Sequence, residues 1–248
     1  MQYYYFIFFF VFVSLKAQIN QIDSIQMKQG YWELYFPYTK DSIVSENGYF
    51  IDDKEDGLWT KYHENGQIRE IVHYNIGKLN GVRLLIDKRG RLKEQEFYKD
   101  NKYHNIQIYF YDSGKISLEK NYIEGVKHGL SMRYYQNGKK QSEVIYQDDK
   151  KHGLAKWYYD NEVLSSVYKY HLGNITDTVF NYYKDGSLKS YKIYVNNELD
   201  GESVDFYITG EIKEQGSYRK GFKNGDWCNY DTLGVLKSCI FYKNGLIK

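Results

Sequence analysis

Three histidines stand 24 residues apart, His104, His128 and His152, and a row of imidazoles is the first place to look for chemistry. That chemistry would be metal binding, which needs ring nitrogens within about 2.1 Å of one ion. Recurrence at a fixed interval argues against it. Equivalent residues of successive two-stranded repeats lie roughly 9 to 10 Å apart, too far to share an ion. Such histidines read as polar residues flanking turns. His63-Glu64 begins a zinc-protease motif without its second histidine, and the chain has neither a Gly-Lys-Ser/Thr phosphate loop nor a Gly-x-Ser-x-Gly turn. No catalytic, metal-binding or cofactor-binding residues are expected, and no cofactor. Catalysis also needs groups converging on a concavity, whereas a regular array sets equivalent residues in parallel rows.

The elements behind that regularity emerge on counting from Gly57 in steps of 24. Eight uninterrupted units then end at residue 248, opening with Gly57, Gly81, Asn105, Gly129, Gly153, Asp177, Gly201 and Gly225. Position 18 is Tyr in all eight, from Tyr74 to Tyr242. Position 10 is Gly in seven, with Glu162 the exception, and position 21 is always Gly, Asn or Asp. Position 6 is aromatic except at Ile86, and position 12 is Ile or Leu except at Lys140. Gly, Asn and Asp are the residues that reach positive φ cheaply, so positions 10 and 21 mark two turns. Pairs such as Asn65-Gly66 and Asn137-Gly138 predict tight two-residue hairpin turns. Between the turns lie strand-length runs rich in Tyr, Ile, Val and Phe. Each unit is therefore a β-hairpin, and the chain an all-β, elongated meander of stacked hairpins forming an open, twisted single-layer sheet or solenoid. Residues 30 to 56, with Gly30, Trp32, Tyr35 and Pro37, read as a degenerate capping unit.

Composition agrees: 29 Tyr, 13 Phe and 21 Gly stand against a single Pro. Charge is balanced, with 34 basic and 32 acidic residues, which speaks against a nucleic-acid partner. The first residues differ in kind. Tyr3 to Val13 is apolar and is followed by Ser14, Leu15, Lys16 and Ala17. The run is short for a bilayer-spanning helix and suits a signal peptide cleaved after Ala17, although no Lys or Arg precedes it. An uncleaved anchor is the alternative. The expected organisation is a signal peptide over 1–17, a linker over 18–29, the cap over 30–56 and the eight repeats over 57–248. The destination would be the periplasm, the outer surface or the medium.

Two residue sets remain. Cys228 and Cys239 occupy positions 4 and 15 of the last unit, and a two-residue loop at Leu233-Gly234 would place them opposite each other as a hydrogen-bonded pair about 5.5 Å apart. They form either a disulfide stapling the C-terminal hairpin or two apolar fillers. Positions 6 and 7 are both aromatic in five consecutive units, and neighbours in a strand point to opposite faces. Tyr111, Tyr135, Tyr159, Tyr183 and Tyr207 are thus candidates for an exposed interaction row. The competing reading is that both columns only pack across strands.

The pattern G-x-W-x-x-Y-x-x-N-G-x-I…Y-x-x-G-K-x-x-G, clearest over residues 57–81 and 129–153, resembles the MORN repeat in its bacterial variant form. The likeness covers about residues 30–248. The Trp of position 3 survives only as Trp59 and Trp227, and Asn105 and Asp177 replace the opening Gly. A second resemblance is to the YD repeat, through Tyr111-Asp112, Tyr159-Asp160 and Tyr230-Asp231. The MORN resemblance implies a binding role: bacterial members are often labelled antitoxins, and some eukaryotic members contact membrane lipid. The expected function is an exported, non-enzymatic scaffold that binds another protein or an envelope component. The antitoxin role and a glycan- or lipid-binding surface are the alternatives, and the oligomeric state stays open.

Overall fold

A computed structural model describes residues 19–39 and 42–248. The apolar run and the Ala17 cleavage site lie outside the described residues, which contain 22 strands and no helix. Successive strands pair antiparallel from Gln21–Ile22 to Leu246–Ile247 in one open sheet. The hairpin of unit 1 is Lys54–Tyr62 followed by Ile68–Asn75, and the same two lengths recur along the chain. The cap forms an equivalent hairpin, Lys28–Tyr35 with Val44–Ile51, with Gly30 opposite Phe50. Part of the expected linker is folded as well: Gln21 pairs with Gln29 and Ile22 with Lys28 at the sheet edge.

The two turns differ from the simple expectation. At position 21 the expectation of a tight turn holds, and both central residues are left-handed even where neither is Gly, as in Asp148-Asp149 with φ 50° and 62°. The Asn-Gly sites are looser. In unit 1 the Gly66 N–H donates to His63 O at 2.8 Å and the His63 N–H to Gln67 O at 2.8 Å, enclosing three residues rather than two. Only Gly66 has positive φ there, at 80°. Asn65 stays right-handed and its Oδ1 accepts from the Gln67 N–H at 3.2 Å, an Asx turn that removes the need for a left-handed Asn. One residue further on, a bulge restores the register: Tyr62 opposes Ile68, but Lys61 opposes Glu70.

Position 1 is also left-handed in every unit, which explains its Gly, Asn and Asp. Asn105 at 59° and Asp177 at 73° adopt the conformation that Gly57 takes at 69°. Their substitution for Gly interrupts the regular strand, which splits into Lys102–Tyr103 and Asn105–Phe110, and into Asn174–Ile175 and Asp177–Tyr182. The path of the sheet is unchanged. The Tyr of position 18 sits opposite this residue, as Tyr74 does opposite Gly57 and Tyr146 opposite Gly129, and supplies the side chain that a glycine lacks.

The buried column is position 3: Trp59, Gln107, Ala155, Val179, Ser203 and Trp227 are each at most 2% exposed. Against it, from the preceding unit, lies position 16. The two columns are complementary in size. Where position 3 is Trp, the facing residue is Gly48 or Gly216, and a Cβ on either would fall inside the indole ring. Where position 16 is Val144, position 3 shrinks to Ala155. The indole N–H groups donate to the backbone, Trp59 to Tyr49 O at 3.0 Å and Trp227 to Ser217 O at 3.1 Å. In unit 3 Gln107 takes over this role, its Nε2 donating to Phe97 O at 3.0 Å while its Oε1 accepts from the Phe97 N–H at 2.9 Å.

Candidate functional site

The sheet offers two faces, the tryptophan face carrying positions 3, 16 and 18 and the opposite face carrying positions 2 and 17. The five tyrosines proposed as an exposed row are not free surface. They are half-buried, and each sits at the turn rather than inside a strand. Their hydroxyls donate to the backbone of the next unit: Tyr111 to Tyr134 O at 2.6 Å, and Tyr135, Tyr159 and Tyr183 to Tyr158, Tyr182 and Phe206 O at 2.7 Å each. Tyr207 reaches Tyr230 O at 3.0 Å. The strict alternation that suggested exposure ends at the turn, where the hydroxyl finds a carbonyl left over by the loop. His63 joins the ladder through Nε2, 2.9 Å from Ile86 O. Replacing Tyr135, Tyr159 or Tyr183 with Phe is expected to lower stability by about 1 kcal/mol each, read from urea unfolding, because each change removes one hydrogen bond between units.

The remaining sequence candidates are also placed. His128 Nδ1 lies 3.5 Å from Asp148 Oδ1, and His152 accepts from the Leu172 N–H at 3.4 Å. His104 is partly buried, with its Nδ1 unpaired. Among the described residues no three His, Cys, Asp or Glu side chains converge as a metal site would require. Cys228 and Cys239 face each other and are disulfide-bonded, with Cα atoms 4.1 Å apart. That spacing belongs to a non-hydrogen-bonded pair, not the hydrogen-bonded pair expected from a two-residue loop. The loop encloses Thr232, Leu233 and Gly234, and the bulge after it shifts the pairing back.

The tryptophan face of units 1 and 2 holds a buried ionic chain. Arg83 Nε donates to Glu70 at 2.6 Å and its Nη1 to Glu96 at 2.8 Å, while Lys61 lies 3.7 Å from Glu70. Glu96 is 1% exposed and also accepts from the hydroxyls of Tyr98 at 2.9 Å and Tyr103 at 2.8 Å. Burial alone would depress the Arg83 guanidinium, but its hydrogen bonds to Glu70 and Glu96 outweigh this and hold it above its ordinary value. Burial, followed by the Glu96 charge, pushes nearby Tyr109 up to about 12. Burial and the bonds to Tyr98 and Glu96 push Tyr103 up as well. These phenols remain proton donors at neutral pH, the reverse of what a tyrosine base would need.

The opposite face carries a feature that the repeat alignment left unread. Position 2 runs Tyr31, Leu58, Val82, Ile106, Leu130 and Leu154, then turns polar at Thr178, Glu202 and Asp226. Leu58 is 55% exposed beside a Trp59 at 1%, and Leu154 is 50% exposed beside an Ala155 at 1%. Position 17 widens the column across the strand, Tyr49 beside Tyr31, Phe97 beside Val82 and Ile145 beside Leu130. At two strands per unit the apolar stretch extends on the order of 50 Å. Carboxylates border it: Glu119 and Glu143 accept from Tyr134 at 3.1 Å and Tyr158 at 3.2 Å. The signal was present in the sequence as every 24th residue, but the register was needed to show which columns are exposed.

Fold and faces together define a hairpin-repeat protein that presents broad surfaces. The model of the family described as the MORN repeat variant matches residues 55–75, 103–124, 127–148, 151–171 and 223–244. The matches follow the structural hairpins, the first of which begins at Lys54, rather than the unit boundary at Gly57. The chain is a MORN-repeat protein. No curated protein matches it. Among solved structures, one titled "Crystal structure of GtfA/B complex bound to UDP and GlcNAc" is 16% identical, covering 46% of this chain and 22% of that chain, with a TM-score of 0.22. An overlap that slight adds nothing to the assignment.

Proposed function

We propose that the chain is an exported, non-catalytic scaffold that holds a protein partner along its opposite face. The observation carrying this reading is the position-2 column, apolar through Leu154 and polar beyond it, with Leu58, Leu130 and Leu154 exposed and Tyr31, Val82 and Ile106 half-buried. A row of apolar side chains bordered by carboxylates has the anatomy of a protein interface, an apolar centre inside a polar border. The ionic and aromatic contacts of the other face support rigidity, since a platform holds its contact points in register only if its units do not slide. Export rests on the apolar residues 3–13 and accords with a disulfide in the last hairpin.

The test is affinity capture from envelope extracts with the full chain and with a Leu58→Lys/Leu130→Lys/Leu154→Lys variant whose melting curve matches the parent. A specific partner retained by the parent and lost by the variant is the expected result. Equal capture by both would remove this face from consideration. Terminal sequencing of the mature protein is expected to begin at Gln18, and an intact Met1 terminus would overturn export by cleavage.

A further inference from the structure

The tryptophan face changes character where position 3 becomes small. Trp59 and Trp227 fill that column in units 1 and 8 and Gln107 in unit 3, whereas unit 4 places Ser131 there and unit 5 Ala155. The space left is an open hollow of about 310 Å³ ringed by Lys120, Lys127, Arg133 and Lys151. Register brings the four together across three hairpins: Lys120 faces Ser131, Lys127 faces Tyr122, Arg133 lies between Leu118 and Ser142, and Lys151 faces Tyr146.

None of the four cations has an acidic partner among the described residues. The Asp149 carboxylate at the adjoining turn is engaged by the backbone N–H of Lys127, at 3.0 Å. The ammonium groups instead lie over aromatic rings, Lys127 5.6 Å from Tyr146, and Lys151 5.6 Å from Trp157 and 4.9 Å from Tyr170. Burial, followed by the charges of Lys127 and Arg133, holds the Lys120 ammonium below its ordinary value, as crowding of like charges without a counter-ion should. The Ser142 hydroxyl on the floor is without a hydrogen-bond partner among the described residues. A second hollow of about 240 Å³, at Lys189 and Lys213, is lined by Asp205 and Glu214 as well. There the carboxylates are matched by Lys192 at 3.4 Å and Lys223 at 3.5 Å. The lining of that hollow holds as many carboxylates as cations, whereas the first is lined by four cations and no carboxylate.

The surroundings select the ligand class. A formal charge of +2 for the whole chain does not suit a nucleic-acid track. Insertion into a bilayer needs apolar side chains around the charges, and Leu130, Ile145 and Leu154 of these units all lie on the opposite face. An extended peptide would seek a free strand edge, and the strands bordering the hollow are paired on both sides. What remains is a chain of polar rings carrying anions, which can meet cations, a hydroxyl and aromatic rings together. We propose that the hollow binds the sulfate or carboxylate groups of an acidic polysaccharide.

The test is titration calorimetry of the full chain with heparin fragments and with polygalacturonate, with poly-glutamate and phosphatidylglycerol vesicles as separate arms. The variants are Lys127→Gln/Arg133→Gln and Lys120→Gly/Ser131→Trp, the second filling the hollow with the Gly48–Trp59 pairing. The expected result is binding of at least one polysaccharide that falls with added salt, weakens at least tenfold in both variants and is unchanged by Lys189→Gln/Lys213→Gln. Failure of both polysaccharides to bind, undiminished binding by either variant, or binding of poly-glutamate or vesicles in their place would overturn the proposal. This face is opposite the partner column, so either reading can fail while the other stands.

Discussion

Gly216→Val is expected to loosen the last two units by on the order of 3 kcal/mol, because the new side chain must occupy the volume of the Trp227 ring. Trp227 is 2% exposed, its N–H is bonded to Ser217 O at 3.1 Å, and Lys223 caps its ring at 3.8 Å from the centroid, so it has little room to move aside. Trp227→Ala alone should cost about 3 to 5 kcal/mol by opening a cavity. The double variant recreates the Val144–Ala155 pairing that the chain already uses. Its loss should fall short of the sum of the single losses by about 2 kcal/mol, as expected for residues in direct contact. Hydrogen exchange of units 7 and 8 reads the effect, and units 1 to 3 should be unchanged because each hairpin touches mainly its neighbours. Strict additivity of the two changes would refute the complementarity of positions 3 and 16.

Arg83→Met should be comparably damaging at the other end of the sheet. It leaves Glu70 at 7% exposure and Glu96 at 1% without their cation, and breaking one partner of a buried pair typically costs about 3 to 5 kcal/mol. Lys61, 3.7 Å from Glu70, compensates that carboxylate, but its ion pairs are with Glu46 and Glu70 and not with Glu96. Adding Glu70→Gln and Glu96→Gln to Arg83→Met should recover a large part of the loss, since the penalty comes from stranded charge and not from missing volume. Urea unfolding followed by the fluorescence of nearby Trp59 measures both steps. A triple variant no more stable than Arg83→Met would show that the arginine acts by packing alone.

These two sites show where reading the chain as a sequence reaches its limit. The period of 24, the invariant tyrosine of position 18 and the Gly, Asn and Asp columns are local statements: a left-handed residue or a tight turn imposes the same requirement in every unit. The repeat fold was therefore legible from single columns. The turn at Asn65-Gly66 was misjudged because the Asn can satisfy its neighbour through an Asx turn without becoming left-handed. The tyrosine row was misjudged for a related reason. Its hydroxyls bond to carbonyls 23 residues ahead, and alternation within one strand carries no information about a neighbouring unit.

The sequence by itself determined an all-β array of hairpins with two turns per 24 residues, because backbone conformation at Gly, Asn and Asp is decided within the unit. Only the tertiary structure decided that Gly216 makes room for Trp227, that Arg83 joins Glu70 to Glu96, and which of two adjacent columns faces solvent. Those facts depend on the register between strands, and bulges, one within a hairpin as at Lys61/Tyr62 and one between hairpins as at Val72/Tyr74, reset that register in ways the spacing of residues does not show.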